Sequence, residues 1–164
     1  MKRIIAIFLL TILSTNVFSQ EFEVPSNYAF SVDADYTKYE ADILKGIHWL
    51  TNTPIQEQAA KRKDVNAFVM KWITGSPNVS VEINSDVAKF TEANPDLLII
   101  FMCGWTKYSL ETKDYTNRNM GYLKGIEAVV DFYSKNKENL KKDKDVEKYV
   151  KMKEKGTLEK NLTK

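Results

Sequence analysis

Seven consecutive apolar residues, Leu97 to Cys103, constrain this chain more than any other stretch. They lie in NPDLLIIFMCGWTKYSLE, which opens as a helix does. Asn94 is a good cap, and Pro95 follows where a missing N–H matters least. Asp96 falls at the positive end of the helix dipole. A helix that is apolar on every side leaves no face for water, so it belongs inside a shell of other elements. The expectation is a buried central helix over residues 94–111. A buried strand competes for a run this short, but the cap and the continuation through Tyr108 and Leu110 favour helix. Leu97, Leu98, Ile100, Phe101 and Cys103 are its expected core residues.

The surrounding segments supply that shell. In TPIQEQAAKRKDVNAFVMKWITGSPN, Thr53 reads as a cap, Pro54 as the first helical residue and Gln56 as the return half of a capping box. Val65, Phe68, Val69, Trp72 and Ile73 recur at helical steps, which assigns Phe68 and Trp72 to the core. Gly75, with Pro77 behind it, should end the helix. DYTKYEADILKGIHWL, TNRNMGYLKGIEAVVDFYSKN and the Lys-rich C-terminal stretch of residues 143–164 also read as helices. In the last of these Gly156 is a stop, and Leu158 with Leu162 makes a short closing turn. Only VSVEI, residues 79–83, alternates like a strand. With no partner strand in view it reads as an extended connector. The predicted fold is all-α, a bundle of five or six helices around the central one.

Two features bear on how the helices meet. Leu44-Lys45-Gly46-Ile47 recurs as Leu123-Lys124-Gly125-Ile126. Lys63-Asp64-Val65, with Phe68-Val69 and Gly75, recurs as Lys144-Asp145-Val146, with Tyr149-Val150 and Gly156. The same order in both copies raises an internal duplication of a helical hairpin. Glycines 46, 104, 121 and 125 fall inside helices, where each is about 1 kcal/mol worse than Ala. Close helix–helix approach is the usual compensation, and Gly121 with Gly125 marks a tight contact.

The N-terminal stretch MKRIIAIFLLTILSTNVFSQ has a basic start, an apolar run and small or aliphatic residues before Gln20. It reads as a secretory signal, residues 1–19, removed to leave residues 20–164 as one domain. The apolar run is far shorter than the roughly 20 residues that cross a bilayer, so no transmembrane segment is expected after cleavage. A periplasmic or extracellular location follows. The chain has one cysteine, hence no internal disulfide. A lone thiol in an oxidising compartment risks pairing between chains, which favours burial of Cys103.

The reactive inventory is thin. Cys103 follows Ile99, Ile100, Phe101 and Met102 and lies beyond the first helical turn, so its thiol should be pushed up, not activated. The single histidine, His48, sits between Ile47 and Trp49 as a packing residue would. One His and one Cys cannot make a zinc site unaided, and no phosphate-cradling glycine loop occurs. No metal or other cofactor is expected. Glu40 with Asp42, Glu82 with Asp86, and Glu92 with Asp96 are the carboxylate pairs available for acid–base work. Residues 135–164 hold eleven Lys against six Asp or Glu, which leaves the body of the chain net negative. A basic tail on an acidic body suits an acidic surface, although the alternating signs also fit a solvated helix face. The export signal argues against nucleic acid. His48 and Trp49, with Trp105, Lys107 and Tyr108, form the candidate surface for a partner or ligand. The function expected is that of an exported, non-catalytic binding protein of the cell envelope, its partner another envelope or secreted protein. The outline is similar to that of small secreted helical immunity proteins, with a helix such as VNAFVMKWI followed by GSPN. The paired cysteines those proteins carry are missing here. That likeness implies an inhibitor of a toxic enzyme. A carboxylate-dependent envelope hydrolase is the third alternative.

Overall fold

The computed structural model describes residues 22–163, and the expected signal, residues 1–19, lies outside them. The described residues form seven helices and no strand. They are α1 (Asp33–Asn52), α2 (Ala59–Gly75), α3 (Ser85–Ala93), α4 (Asp96–Thr112), α5 (Arg118–Lys135), α6 (Lys144–Glu154) and α7 (Leu158–Leu162). No helix among them is long and apolar enough to cross a membrane.

The apolar run lies in α4. Leu97, Ile100, Phe101 and Cys103 are buried, as are Gly104, Trp105 and Thr106, while Leu98 is partly buried against the core. α4 packs on α1, α2 and α3, and most extensively on α5. α7 and α6 attach to α5, with α6 also on α3, so the centre is a two-helix spine, α4 with α5. The spine is close because it is built on glycine. A methyl at Gly104 would overlap the Lys124 carbonyl and lie 2.6 Å from the Ala128 Cβ. Gly121 lies under the Trp105 ring and Gly125 under the Phe101 ring. Two large aromatics of α4 therefore seat on the bare backbone of α5, where dispersion contacts accumulate.

The two copies of Leu-Lys-Gly-Ile meet different surroundings. Gly46 faces Val69 of α2 and Phe22, whereas Gly125 faces Phe101 of α4. Phe68 and Trp72 of α2 are fully buried, with Tyr28 edge-on to Phe68 (4.7 Å) and the Trp72 Nε1 donating to the Tyr36 carbonyl (2.9 Å). The segment before α1 is thereby pinned to α1 and α2 by aromatic contacts.

Three boundaries differ from expectation, each for a visible reason. Thr53 does not cap α2; it ends α1, donating its N–H to the Trp49 carbonyl (2.9 Å), and α2 begins at Ala59 behind Gln58 in the left-handed region (φ 50°). The intervening turn is fixed by Arg62, whose guanidinium donates to the carbonyls of Leu50 (3.3 Å), Thr53 (2.6 Å) and Pro54 (3.1 Å). Those groups are thus committed outside α2. Asn94 does not cap α4 with its side chain. Its amide clamps the backbone of Lys141 in both directions, at 3.0 and 2.8 Å. The helix count exceeds five or six because α3 forms, capped by the Asn84 side chain on the N–H groups of Asp86 and Val87 (both 3.0 Å); residues 143–164 divide at Gly156, where a stop was expected. Gly156 (φ 65°) makes that break: its N–H donates to Lys153 and that of Thr157 to Met152 (both 2.9 Å), a Schellman closure that only glycine adopts without strain.

Candidate functional site

A groove of about 530 Å³ lies between α1, α4 and α5. Its floor is made of small or apolar residues, Ile47, Gly104 and Ala128. Its walls follow from helical spacing. Lys107, Tyr108, Glu111 and Thr112 stand one and two turns along α4 from Gly104, and Lys124, Glu127, Asp131 and Lys135 form the matching stripe on α5. Thr51 and Asn52 close the α1 side. Because Gly104 brings α4 and α5 nearly into backbone contact, the longer side chains above that point splay apart and leave the groove between them.

Three lysines and three carboxylates line it, each already engaged with a neighbour. Lys124 pairs with Glu127 (2.7 Å), Lys107 with Glu111 (3.9 Å), and Asp131 with Lys153 reaching over from α6 (2.6 Å). Lys135 donates to the Asn52 side-chain oxygen (3.2 Å). These side chains are a third to two thirds exposed. Exposed pairs contribute about 0–1 kcal/mol, so an incoming charged group can exchange with them at little net loss. The Tyr108 hydroxyl donates to Asp114 (2.8 Å), which also accepts the N–H groups of Thr116 and Asn117 (both 3.2 Å). That bond lowers the Asp114 carboxyl below the usual Asp range, while desolvation first, and the same bond second, raises the Tyr108 phenol.

The candidate surface read from the sequence divides in two. Lys107 and Tyr108 line the groove, and exposed His48 lies beside it, its Nδ1 3.3 Å from the Asn52 amide nitrogen. Trp49 and Trp105 do not belong to any surface; they are 2% and 4% exposed. Trp105 is locked on Gly121, and Trp49 is covered by the Arg62 guanidinium (5.4 Å). Glu111, Glu127 and Asp131 are groove residues that sequence reasoning passed over.

The nucleophile question resolves through burial. Cys103 is fully buried, and desolvation pushes its thiol far up despite the nearby Arg62 charge. His48 is on the outside. Two of the three carboxylate pairs read from the sequence are separately engaged: Glu40 with Lys113 (2.6 Å), Asp42 with Lys45 (3.2 Å), Glu82 with Arg118 (2.9 Å) and Asp86 with Lys89 (2.9 Å); Glu92 and Asp96 are exposed and lie outside the groove. Among the described residues no three His, Cys, Asp or Glu side chains gather as a metal would require.

Fold and groove together define, over the described residues, a helical protein with a two-helix glycine-seamed spine and a charged cleft along it. No family model, curated protein or solved structure matches the chain.

Proposed function

We propose that this chain is an exported, non-catalytic binding protein of the cell envelope, and that the groove between α1, α4 and α5 is its contact site. The carrying observation is the groove's lining. It presents balanced lysine and carboxylate side chains in weak, exchangeable pairs over a small-residue floor, beside a tyrosine. Such a surface suits a partner segment carrying both signs of charge. Cys103, the strongest nucleophile by residue type, is sealed away from it. The more specific form is an inhibitor that plugs a toxic enzyme, with the groove receiving a charged loop of the target. A photo-cross-linking residue in place of Lys107 tests the site. It should give a discrete adduct in the envelope fraction, while the same residue in place of exposed Lys63 on α2 should not. Equal adducts from both positions, or none from Lys107, would reject it.

A carboxylate-dependent hydrolase of envelope sugars is the second reading. One observation favours it: Glu111, Glu127 and Asp131, from two helices, line the same groove. It requires turnover of envelope glycans that Glu127→Gln or Asp131→Asn abolishes.

A further inference from the structure

The groove leaves a second charged surface unexplained. Lys144, Lys148, Lys151 and Lys155 are spaced by four, three and four residues, so they form one stripe along α6 and its C-cap. All are exposed. The stripe is about 16 Å long at the helical rise per residue. It points directly away from Val146, Tyr149 and Val150, which bury the other side of α6. The recorded ion pairs around α6 use other lysines, Lys137 with Glu147 (3.4 Å) and Lys153 with Asp131 (2.6 Å). None of the four stripe lysines is paired with another described residue. Exposed Lys141 and Lys142 extend the positive end just before the helix.

A solvated helix face ordinarily interleaves its charges so that neighbours one turn apart attract. Here each one-turn step along the stripe joins lysine to lysine, while Glu147 stands one turn from Lys144 and Lys151, and Asp145 one turn from Lys148. The acidic residues of the element flank the line, and Glu147 is already neutralised by Lys137. The body of the chain is net negative, so the molecule is polarised and would orient with this edge toward an anionic field. The line is straight, convex and built from lysine point charges without an aromatic or a concavity. That geometry fits a flat, diffuse anionic surface better than a shaped protein pocket or a bidentate site.

We propose that the α6 lysine stripe docks this protein on an anionic phospholipid surface, leaving the α1/α4/α5 groove free for its partner. The interaction is peripheral and electrostatic, with no inserted helix.

The test is co-sedimentation of the mature protein with neutral phosphatidylcholine vesicles and with vesicles containing phosphatidylglycerol. Binding should require the anionic lipid and fall steeply between about 50 and about 200 mM salt, as exposed charges are screened over roughly 10 Å. The double variant Lys148→Gln/Lys151→Gln should bind about 25-fold more weakly, at about fivefold per lysine. Glutamine preserves helix propensity, so α6 should stay folded. Lys144→Gln/Lys155→Gln, at the two ends of the stripe, repeats the measurement should the first pair disturb α6. Lys38→Gln/Lys45→Gln on α1 changes net charge equally and should leave binding within about twofold, since those lysines lie off the stripe. Four results would each overturn the proposal: equal binding to neutral vesicles, no binding at low salt, an equal loss in the α1 variant, or displacement from vesicles by equimolar soluble acidic polypeptide. The last would give the stripe to an acidic protein instead.

Discussion

Gly104→Ala against Gly46→Ala isolates what holds the spine together. Both glycines lie inside long helices, so alanine improves backbone propensity by about 1 kcal/mol at each. The surroundings then decide the sign. At Gly46 the added methyl meets only side-chain atoms, Val69 Cγ2 at 3.1 Å and Phe22 Cε1 at 3.2 Å. These need to shift by a few tenths of an ångström, and the net change should fall within about 0.5 kcal/mol of zero. At Gly104 the methyl overlaps a backbone oxygen, that of Lys124, and lies 2.6 Å from Ala128 Cβ. Ordinary carbon contacts are about 3.5–4.0 Å, so α4 and α5 must separate by roughly 1 Å. That separation also lifts Trp105 off Gly121 and Phe101 off Gly125. Overpacking of this kind costs about 1–3 kcal/mol, and the rigid backbone places it at the upper end. After the propensity gain, Gly104→Ala should be about 2 kcal/mol less stable than wild type. Urea unfolding at a common m-value reads the difference between the variants, and the thermal midpoints should part by about 6 °C for a chain of this size. A Gly104→Ala protein as stable as Gly46→Ala would refute the close seam.

Other expectations follow from single side chains. Cys103 should react with a thiol reagent orders of magnitude more slowly in the folded protein than in urea, because burial both covers the thiol and raises it; rapid labelling without denaturant would contradict its place in the core. Arg62→Met should lower stability by about 2–3 kcal/mol in urea titrations, since three carbonyls lose their donor, and Arg62→Lys should restore less than half, because an ammonium cannot reproduce the fork over Trp49 and Phe132. Asp35 is held low by the N–H groups of Ser31 and Val32, and Asp114 first by the Tyr108 hydroxyl. Depressed folded values mean that their stabilisation is full above the unfolded value and is lost as pH falls through the folded one. Asp35→Asn/Asp114→Asn should therefore flatten the decline of the urea midpoint below about pH 4, and an unchanged acid limb would show that the two carboxylates are not linked to folding.

What the sequence disclosed depended on whether a signal was local. The all-apolar run of α4 and the spaced apolar faces of α2 and α6 are local patterns, and each lies in a helix. The closures at Gly75 and Gly156 were equally readable. The helix starts misread at Thr53 and Asn94 share a cause in contacts outside the helix each was expected to open: the Arg62 fork takes the Thr53 backbone carbonyl, and the Asn94 side chain clamps the Lys141 backbone. No local rule anticipates a partner 47 residues away. α3 is short and buries only Val87 and Phe90, too few apolar positions to show a helical period, and its Asn84 cap was passed over. The groove was half legible. Its two walls are helical stripes on α4 and α5, visible as spacing, yet their facing one another depends on Gly104 meeting the Lys124 carbonyl. Trp49 and Trp105 show the converse, since residue type alone does not say which face of a helix is covered.

The most direct test of the functional account is native mass spectrometry of the chain recovered gently from its own envelope fraction, wild type beside Lys107→Glu/Lys124→Glu. The account predicts that the chain is found in that fraction, with a stoichiometric partner on the wild type and none on the groove variant. A bare wild-type chain, or a partner held equally by both proteins, would contradict it.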